Sequence, residues 1–327
     1  MLESLSPNTR AILLLTGPLL GGRGAAPSEL LRLGEYNALA RHLRELKRQP
    51  ADFLGADAEE LLRGCHAVID ESRLRWLLGR GFVLEQIVER WESQNIWVLS
   101  RADAEYPRRF KSRLRENAPA LIYGCGDKQL LNSGGLAVVG SRHMDDVLID
   151  DTMAVCRLAA QAGRTLISGG AKGIDQIAMS AALRAGGRVS AVLADSLAKT
   201  VSTREYRHPL LDGQLVLMSP YDPNASFNAS LSTQRNKLIY ALADVGLVVS
   251  ASFRKGQTWA GAVEQLDKLK FVPVYVRTTR EASAGLEALR AKGAMPWPEL
   301  QDIGDFENAF SVAVTYPAAP PQTRILL

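Results

Sequence analysis

Thr165-Leu166-Ile167-Ser168-Gly169-Gly170-Ala171-Lys172-Gly173-Ile174-Asp175 reads as a strand end, a glycine-rich loop and the first turn of a helix. Leu166 and Ile167 close a short apolar run, and Ser168, Gly169, Gly170 and Gly173 make up the turn. Past it, Ile174, Ile177, Ala178, Ala181, Ala182 and Ala185 recur at helical spacing. Glycines let backbone N–H groups approach an anion, and a helix N-terminus adds unpaired donors and the positive end of a dipole. Lys172 adds a cation. The stretch therefore reads as a phosphate-binding loop, beside the plainer reading that any tight strand-to-helix turn needs glycine.

Working outward, apolar runs at Leu136–Val139, Val189–Leu193, Leu215–Met218, Gly246–Val249 and Phe271–Val276 read as further strands. They are near-continuous rather than alternating, as expected of parallel strands covered on both faces. Helical stretches at about 146–162, 175–186, 233–243 and 257–270 separate most of them. The alternation predicts a doubly wound α/β fold with a mostly parallel sheet over 136–280. Pro273 cannot donate to a ladder, so its strand is expected at an edge or to begin late.

Residues 1–95 carry helical patterns instead. Leu30, Leu33, Asn37, Ala40 and Leu43 share a face after the start signal Pro27-Ser28-Glu29. Asp57 with Glu60 has the spacing of a capping box ahead of Leu61 and Leu62. Leu74, Leu77 and Leu78, then Phe82, Ile87 and Trp91, mark two more short helices. Arg41, Arg44, Lys47 and Arg48 form a basic edge, read as a solvated helix face rather than a binding patch. Residues 96–135 hold a short strand, prolines and a glycine, and read as a connector; 281–327 read as one helix near 284–292 and a proline-rich tail.

The apolar stretch Ala11–Leu20 is broken by Gly17-Pro18 and too short to cross a bilayer, so no membrane partner is expected. Glu3 precedes it where a signal peptide would be basic. Cys65, Cys125 and Cys156 lack metal-ligand spacing, which suits a reducing cytoplasm and argues against zinc. Neighbouring Cys65 and His66 do not face each other on a helix and read as packing. The net charge of +4 is compatible with nucleic acid without pointing to it.

Two further strand ends carry the chemistry of the opening loop. Val139-Gly140-Ser141-Arg142-His143 runs into a small, cationic turn, and Arg254-Lys255-Gly256-Gln257-Thr258 leads a helix with Trp259, Ala262, Val263, Leu266 and Leu269 as its expected core stripe. Each sets backbone donors and a cation near a helix start, where phosphate is favoured. In Gln234-Arg235-Asn236-Lys237, Arg235 is in register with Leu238, Ile239 and Leu242, so it faces inward and needs a partner. That partner is a phosphate or a carboxylate such as Asp175 or Asp244. Asp145, Asp146, Asp150 and Asp151 crowd one helix start; such carboxylates complement the dipole more often than they hold magnesium. No metal or cofactor is expected.

These motifs in order, with Asp103 to Tyr106-Pro107 and Ala118-Pro119 to Gly124, resemble the DNA-processing protein A (Smf) family over roughly 96–276. The resemblance implies an extended Rossmann-like domain that binds single-stranded DNA, usually as a homodimer, without catalysis, and helps load a RecA-type recombinase during transformation. It also implies a small SAM-like helical domain where 1–95 lies. Carried over, Gly140, Ser141 and Arg142 match the first loop and Ser168, Gly169, Gly170, Lys172, Gly173 and Asp175 the glycine-rich loop. Arg235, Asn236 and Lys237 match the arginine–asparagine segment, with Lys255, Gly256 and Thr258 in the loop that follows. Lys172 and Lys237 stand where the pattern usually has arginine, and Ala194–Thr200 lacks the glycine that usually follows the third strand. The C-terminal segment is too short for the winged helix of many members, which leaves another DNA pathway, such as defence against foreign DNA, open.

The competing reading is a nucleotide sensor or a nucleoside-monophosphate phosphoribohydrolase of the related lysine-decarboxylase-like fold. Those enzymes have a Pro-Gly-Gly-x-Gly-Thr loop and a glutamate. Here Lys255-Gly256-Gln257-Thr258 lacks the proline and glycine pair, and Glu264 is the nearby acid. A dinucleotide dehydrogenase is disfavoured because no glycine fingerprint follows the first strand. Tyr221 and Phe227 are candidates for stacking a base, and the helical module and tail could instead dock a partner.

Overall fold

Parallel neighbours need a crossover between them, and the short apolar runs from Leu136 onward that are joined by helices pair in this way. The structure is a computed structural model and describes residues 5–20, 28–142, 144–278 and 283–315. In chain order its elements are α1 (Pro7–Thr16), α2 (Leu33–Glu45), α3 (Ala58–Gly64), α4 (Glu71–Leu78), α5 (Gly81–Ser93), β1 (Trp97–Ser100), α6 (Arg108–Leu114) and β2 (Leu121–Gly126). Then come β3 (Leu136–Val139), α7 (Asp146–Gln161), β4 (Leu166–Ser168), α8 (Ile174–Arg184), β5 (Val189–Val192), α9 (Leu197–Val201), α10 (Arg207–Leu211) and β6 (Leu215–Ser219). The last are α11 (Ala229–Leu242), β7 (Val245–Val248), α12 (Gly256–Glu264), β8 (Val274–Val276), α13 (Ala284–Ala291), β9 (Met295–Pro296) and α14 (Ile303–Thr315). No described helix is long and apolar enough to cross a membrane.

The chain divides into two units: Met1–Gly126 with Asp195–Arg207 and Leu217–Phe227, and Asp127–Ala194 with His208–Val216 and Asn228–Leu327. In the first, α1 is the central helix. Ala11, Ile12, Leu13, Leu14 and Leu15 are all buried, so the run judged only for its length is a core helix, apolar all round. Residues 96–126, read as a connector, lie in this unit, where β1 and β2 pair antiparallel with Trp97 opposite Gly124. The Asp103 carboxylate holds this join, accepting from Ser6 Oγ, Thr9 Oγ1 and the Ser100 N–H, each at 2.6 Å. Trp91 meets Tyr123 edge to face at 5.1 Å between centroids.

Three local readings of this half change. Asp57 pairs with Arg48 at 3.5 Å, and its side chain makes no cap on α3. Phe82 is exposed instead of sitting on the core face with Ile87 and Trp91. Leu30 lies outside α2, which begins at Leu33 behind the Arg32 N–H donating to Glu35. The basic edge is exposed as read, with Arg41 paired to Glu116 at 2.9 Å.

Glu35 also takes Arg73 of α4 at 2.6 Å, clasping α2 to α4. The hydrogen bond from Arg73 holds its carboxyl down at about 2. A depressed acid contributes stability above its unfolded pKa, and that contribution is lost as pH falls through the folded value. Glu35→Gln is therefore expected to lower stability at pH 7 by about 1 kcal/mol or less, the pair being partly exposed. Urea melts should show that gap closing between pH 4.5 and 2.

In the second unit the parallel pairings give the order β5-β4-β3-β7-β8-β9. The expected mixed α/β class with a mostly parallel sheet is met, and the strand containing Pro273 begins after it, at Val274. Two endings differ from expectation. The helix read over 257–270 is α-helical only to Glu264 and then forms a π turn over Gln265–Leu269, whose buried Gln265 donates to Val272 O at 2.8 Å. Beyond the single expected C-terminal helix, α14 forms as well. It buries Phe306, Phe310 and Ala313 at a spacing of four and three residues, with Arg164 4.9 Å over the Phe310 ring. His143, the Pro27 start signal, Glu3 and the prolines of 317–321 lie outside the described residues.

Candidate functional site

β3 lies between β4 and β7, and the chain leaves it towards β4 but returns on the other side at β7. Where winding reverses, the loops beyond neighbouring strand ends part, and a crevice opens at their carboxyl ends. The three motif loops follow β4, β3 and β7, so they meet at this reversal.

The loop after β3 is the hub. Thr258 Oγ1, in the first turn of α12, donates to Gly140 O at 2.9 Å, and the Ser141 N–H donates to Ser250 Oγ at 2.9 Å. On the other side, the Ile174 N–H at the start of α8 reaches Ser141 O at 3.4 Å. Gly173 holds this junction with φ 100° and ψ −135°. A Cβ there would stand 2.8 Å from both Ser141 O and Arg142 Cα, so only glycine fits.

Beneath the glycine-rich loop sits a buried ionic pair. Arg235 of α11 is 3% exposed and Asp175 of α8 5%. Arg235 Nη1 donates to the carbonyls of Gly169 and Val192. Burial raises the Asp175 pKa; the Arg235 charge and the N–H groups of Ala171, Gly140 and Gly169 oppose the shift. Of the two carboxylates open to Arg235, Asp175 is the one its charge acts on. Asp244 accepts from the Gly135 N–H at 2.8 Å. Asn236 is buried too, its Nδ2 donating to Gln257 O at 2.8 Å and so tying α11 to the start of α12. Ser168 turns into the sheet, donating to Val138 O at 2.8 Å.

The fifteen motif residues thus separate by depth. Ser168, Gly169, Gly173, Asp175, Arg235 and Asn236 are buried and build the loops. Gly140, Ser141, Gly170, Lys237 and Thr258 are half-buried, and Arg142, Lys172, Lys255 and Gly256 are exposed. Two helix starts at this end, those of α8 and α12, have no side-chain cap, although the Ile174 N–H of α8 is taken by Ser141 O. The start of α7 differs: Asp145 caps it, accepting from the Leu148 N–H at 2.8 Å. Of the same acidic cluster, Asp151 pairs with Arg277 at 3.0 Å. Tyr221 and Phe227 belong to the first unit, where Phe227 is exposed.

Sequence reasoning did not find Ser250, whose hydroxyl lies 2.9 Å from that of Ser141, because a lone serine after a strand carries no pattern. It also missed Phe253, 46% exposed beside Arg254 and Lys255. Trp259, read as core, is half-buried against that ring.

The model of the DNA recombination-mediator protein A family matches residues 97–308, which takes in all three loops and α11. The chain belongs to this family. Protein Smf of Escherichia coli K12 is 34% identical over 173 residues, covering 51% of this chain and 45% of that protein. DNA processing protein DprA of Bacillus subtilis 168 is 26% identical over 205 residues, 58% of this chain and 65% of that protein. The chain thus spans about half to two thirds of the length of these relatives. DNA processing protein A of Streptococcus pneumoniae superposes with a TM-score of 0.66 at 17% identity, over 93% of this chain and 98% of that one. The Helicobacter pylori protein gives 0.53 at 24% identity, over 66% and 94%. The Streptococcus pneumoniae likeness shows a shared fold over nearly the whole chain.

Proposed function

We propose that this protein binds single-stranded DNA without chemical turnover, in the cytoplasm, and serves DNA processing and recombination. The carrying observation is the meeting of exposed Arg142, Lys172 and Lys255 with two uncapped helix starts on three adjacent strand ends. Backbone N–H groups of Gly170, Lys172 and Gly173 and of Gly256–Thr258 take phosphate oxygens, the Ala171 N–H being held by Asp175, and the cations add charge. Buried Arg235, Asp175 and Asn236 hold the loops in shape rather than touching the strand. The Helicobacter pylori protein of the same fold is described with a single-stranded DNA binding mode of its own, which supports the reading. Assembly as a homodimer and delivery of the strand to a RecA-type recombinase belong to the same proposal.

The test is fluorescence anisotropy with a labelled single-stranded oligonucleotide across a salt series, with duplex and nucleoside monophosphates as competitors. Lys172→Ala is expected to weaken binding to all sequences and to lower the slope of log K against log salt by about 0.7. Equal affinity and slope in the mutant would remove Lys172 from the interface. Displacement or turnover of nucleoside monophosphates, with no binding of the strand, would favour a nucleotide enzyme instead.

A further inference from the structure

The loop between β7 and α12 carries a group that phosphate binding does not use. Phe253 is 46% exposed, although it lies in a segment pinned to the protein. Ala251 is buried, and Gly285 in the first turn of α13 packs so close to Ala251 O and the Phe253 N–H that a Cβ would collide with them. The Lys255 N–H closes a turn onto Ser252 O at 3.1 Å. Trp259 meets the Phe253 ring edge-on, 5.4 Å between centroids at 77°, and fixes its plane. The Arg254 guanidinium lies over the same ring, 5.0 Å from its centroid, and backs one of its two faces. Arg254 itself takes φ 54°, a left-handed conformation that costs a non-glycine residue energy. Lys255 and the uncapped start of α12 follow at once, and Thr258 joins this helix to the loop after β3.

From this arrangement we infer that Phe253, oriented by Trp259 and flanked by Arg254, is a stacking platform for an unpaired nucleobase. The inference rests on the DNA-binding reading above and deepens it. An aromatic face held in place beside cations and open helical N–H groups suits one ligand chemistry, a base whose own phosphate lies within the same nucleotide. Every base has a π-face, so the platform is tolerant of sequence but demands that the base be unstacked. Duplex DNA cannot meet that demand. Preference for the single strand therefore originates here, and the phosphate loops contribute none of it.

The experiment compares wild type, Phe253→Ala and Phe253→Tyr on two labelled single strands of equal length, one with bases and one wholly abasic. Phe253→Ala is expected to weaken binding to the base-bearing strand on the order of tenfold while leaving the abasic strand unchanged. Phe253→Tyr, which keeps the ring, should bind both strands as wild type does. Salt-dependent wild-type binding that Phe253→Ala leaves intact, or weakens equally on both strands, overturns the platform and spares the phosphate loops. Wild type that binds neither strand overturns the DNA-binding reading, and the platform with it. Phe253→Leu gives the same comparison with bulk retained, should the alanine variant lose its fold by circular dichroism.

Discussion

Arg235→Met is expected to cost about 3–5 kcal/mol of folding free energy at neutral pH, the usual penalty for removing one partner of a buried ionic pair. Methionine fills much of the volume, so the loss is electrostatic and not that of a cavity. It leaves the Asp175 carboxylate, 5% exposed, with backbone N–H groups and without its cation. It also frees the carbonyls of Gly169 and Val192. The pH dependence identifies the cause. An acid whose folded pKa is raised binds its proton more tightly in the folded state. Its contribution is full below the ordinary value of 3.8 and is lost as pH rises through the folded value. Removing Arg235 takes away a charge that lowers that pKa, so the variant suffers most at pH 7 and the gap to wild type narrows towards acid. Adding Asp175→Asn to Arg235→Met should recover part of the loss at pH 7. Urea melts of wild type, Arg235→Met and the double variant at pH 5 and pH 7 measure this, and a gap that is independent of pH would show that Asp175 is not the charge left behind.

Gly173→Ala is the second large expectation. The residue sits at φ 100° and ψ −135°, where a side chain costs about 1–3 kcal/mol in strain alone. The new Cβ would also stand 2.8 Å from Ser141 O and Arg142 Cα, and backbone cannot rotate aside. The loop after β3 must then part from the start of α8, separating Arg142 from Lys172 and breaking the Ile174–Ser141 hydrogen bond. The melting temperature should fall, and affinity for single-stranded DNA should fall further than in Lys172→Ala, which removes one charge and moves nothing. A melt with anisotropy on the same samples separates the two. Lower stability with wild-type affinity would mean that the two loops bind independently.

The sheet of the second unit was readable because parallel strands covered on both faces leave near-continuous apolar runs, and glycine turns mark their ends. Helix boundaries between them came within a few residues where a single stripe faces the core. α1 was missed for the opposite reason. A helix buried on every side has no periodicity, and Ala11–Leu15 shows only an apolar run. α14 was overshadowed by the prolines around it, although Phe306, Phe310 and Ala313 carry a legible spacing. At the capping box read at Asp57, the carboxylate pairs with Arg48 and does not cap α3.

Sequence alone determined the fold class, the family and the three loops, since each depends on local pattern: apolar runs, glycine at turns, cations beside helix starts. It also determined that Arg235 faces inward, because helical register with Leu238 and Leu242 leaves no other direction. Only the tertiary structure decided what Arg235 meets. Asp175 lies 60 residues before it, by their numbers in the chain, and burial beneath Gly169 unites them. The same holds for the division of the motif into scaffold and surface. Ser168, Asp175 and Asn236 have the residue types of a binding site, yet each is turned to the interior by a partner from another element. For polar residues in loops, which stay exposed is decided by packing between elements distant in the chain.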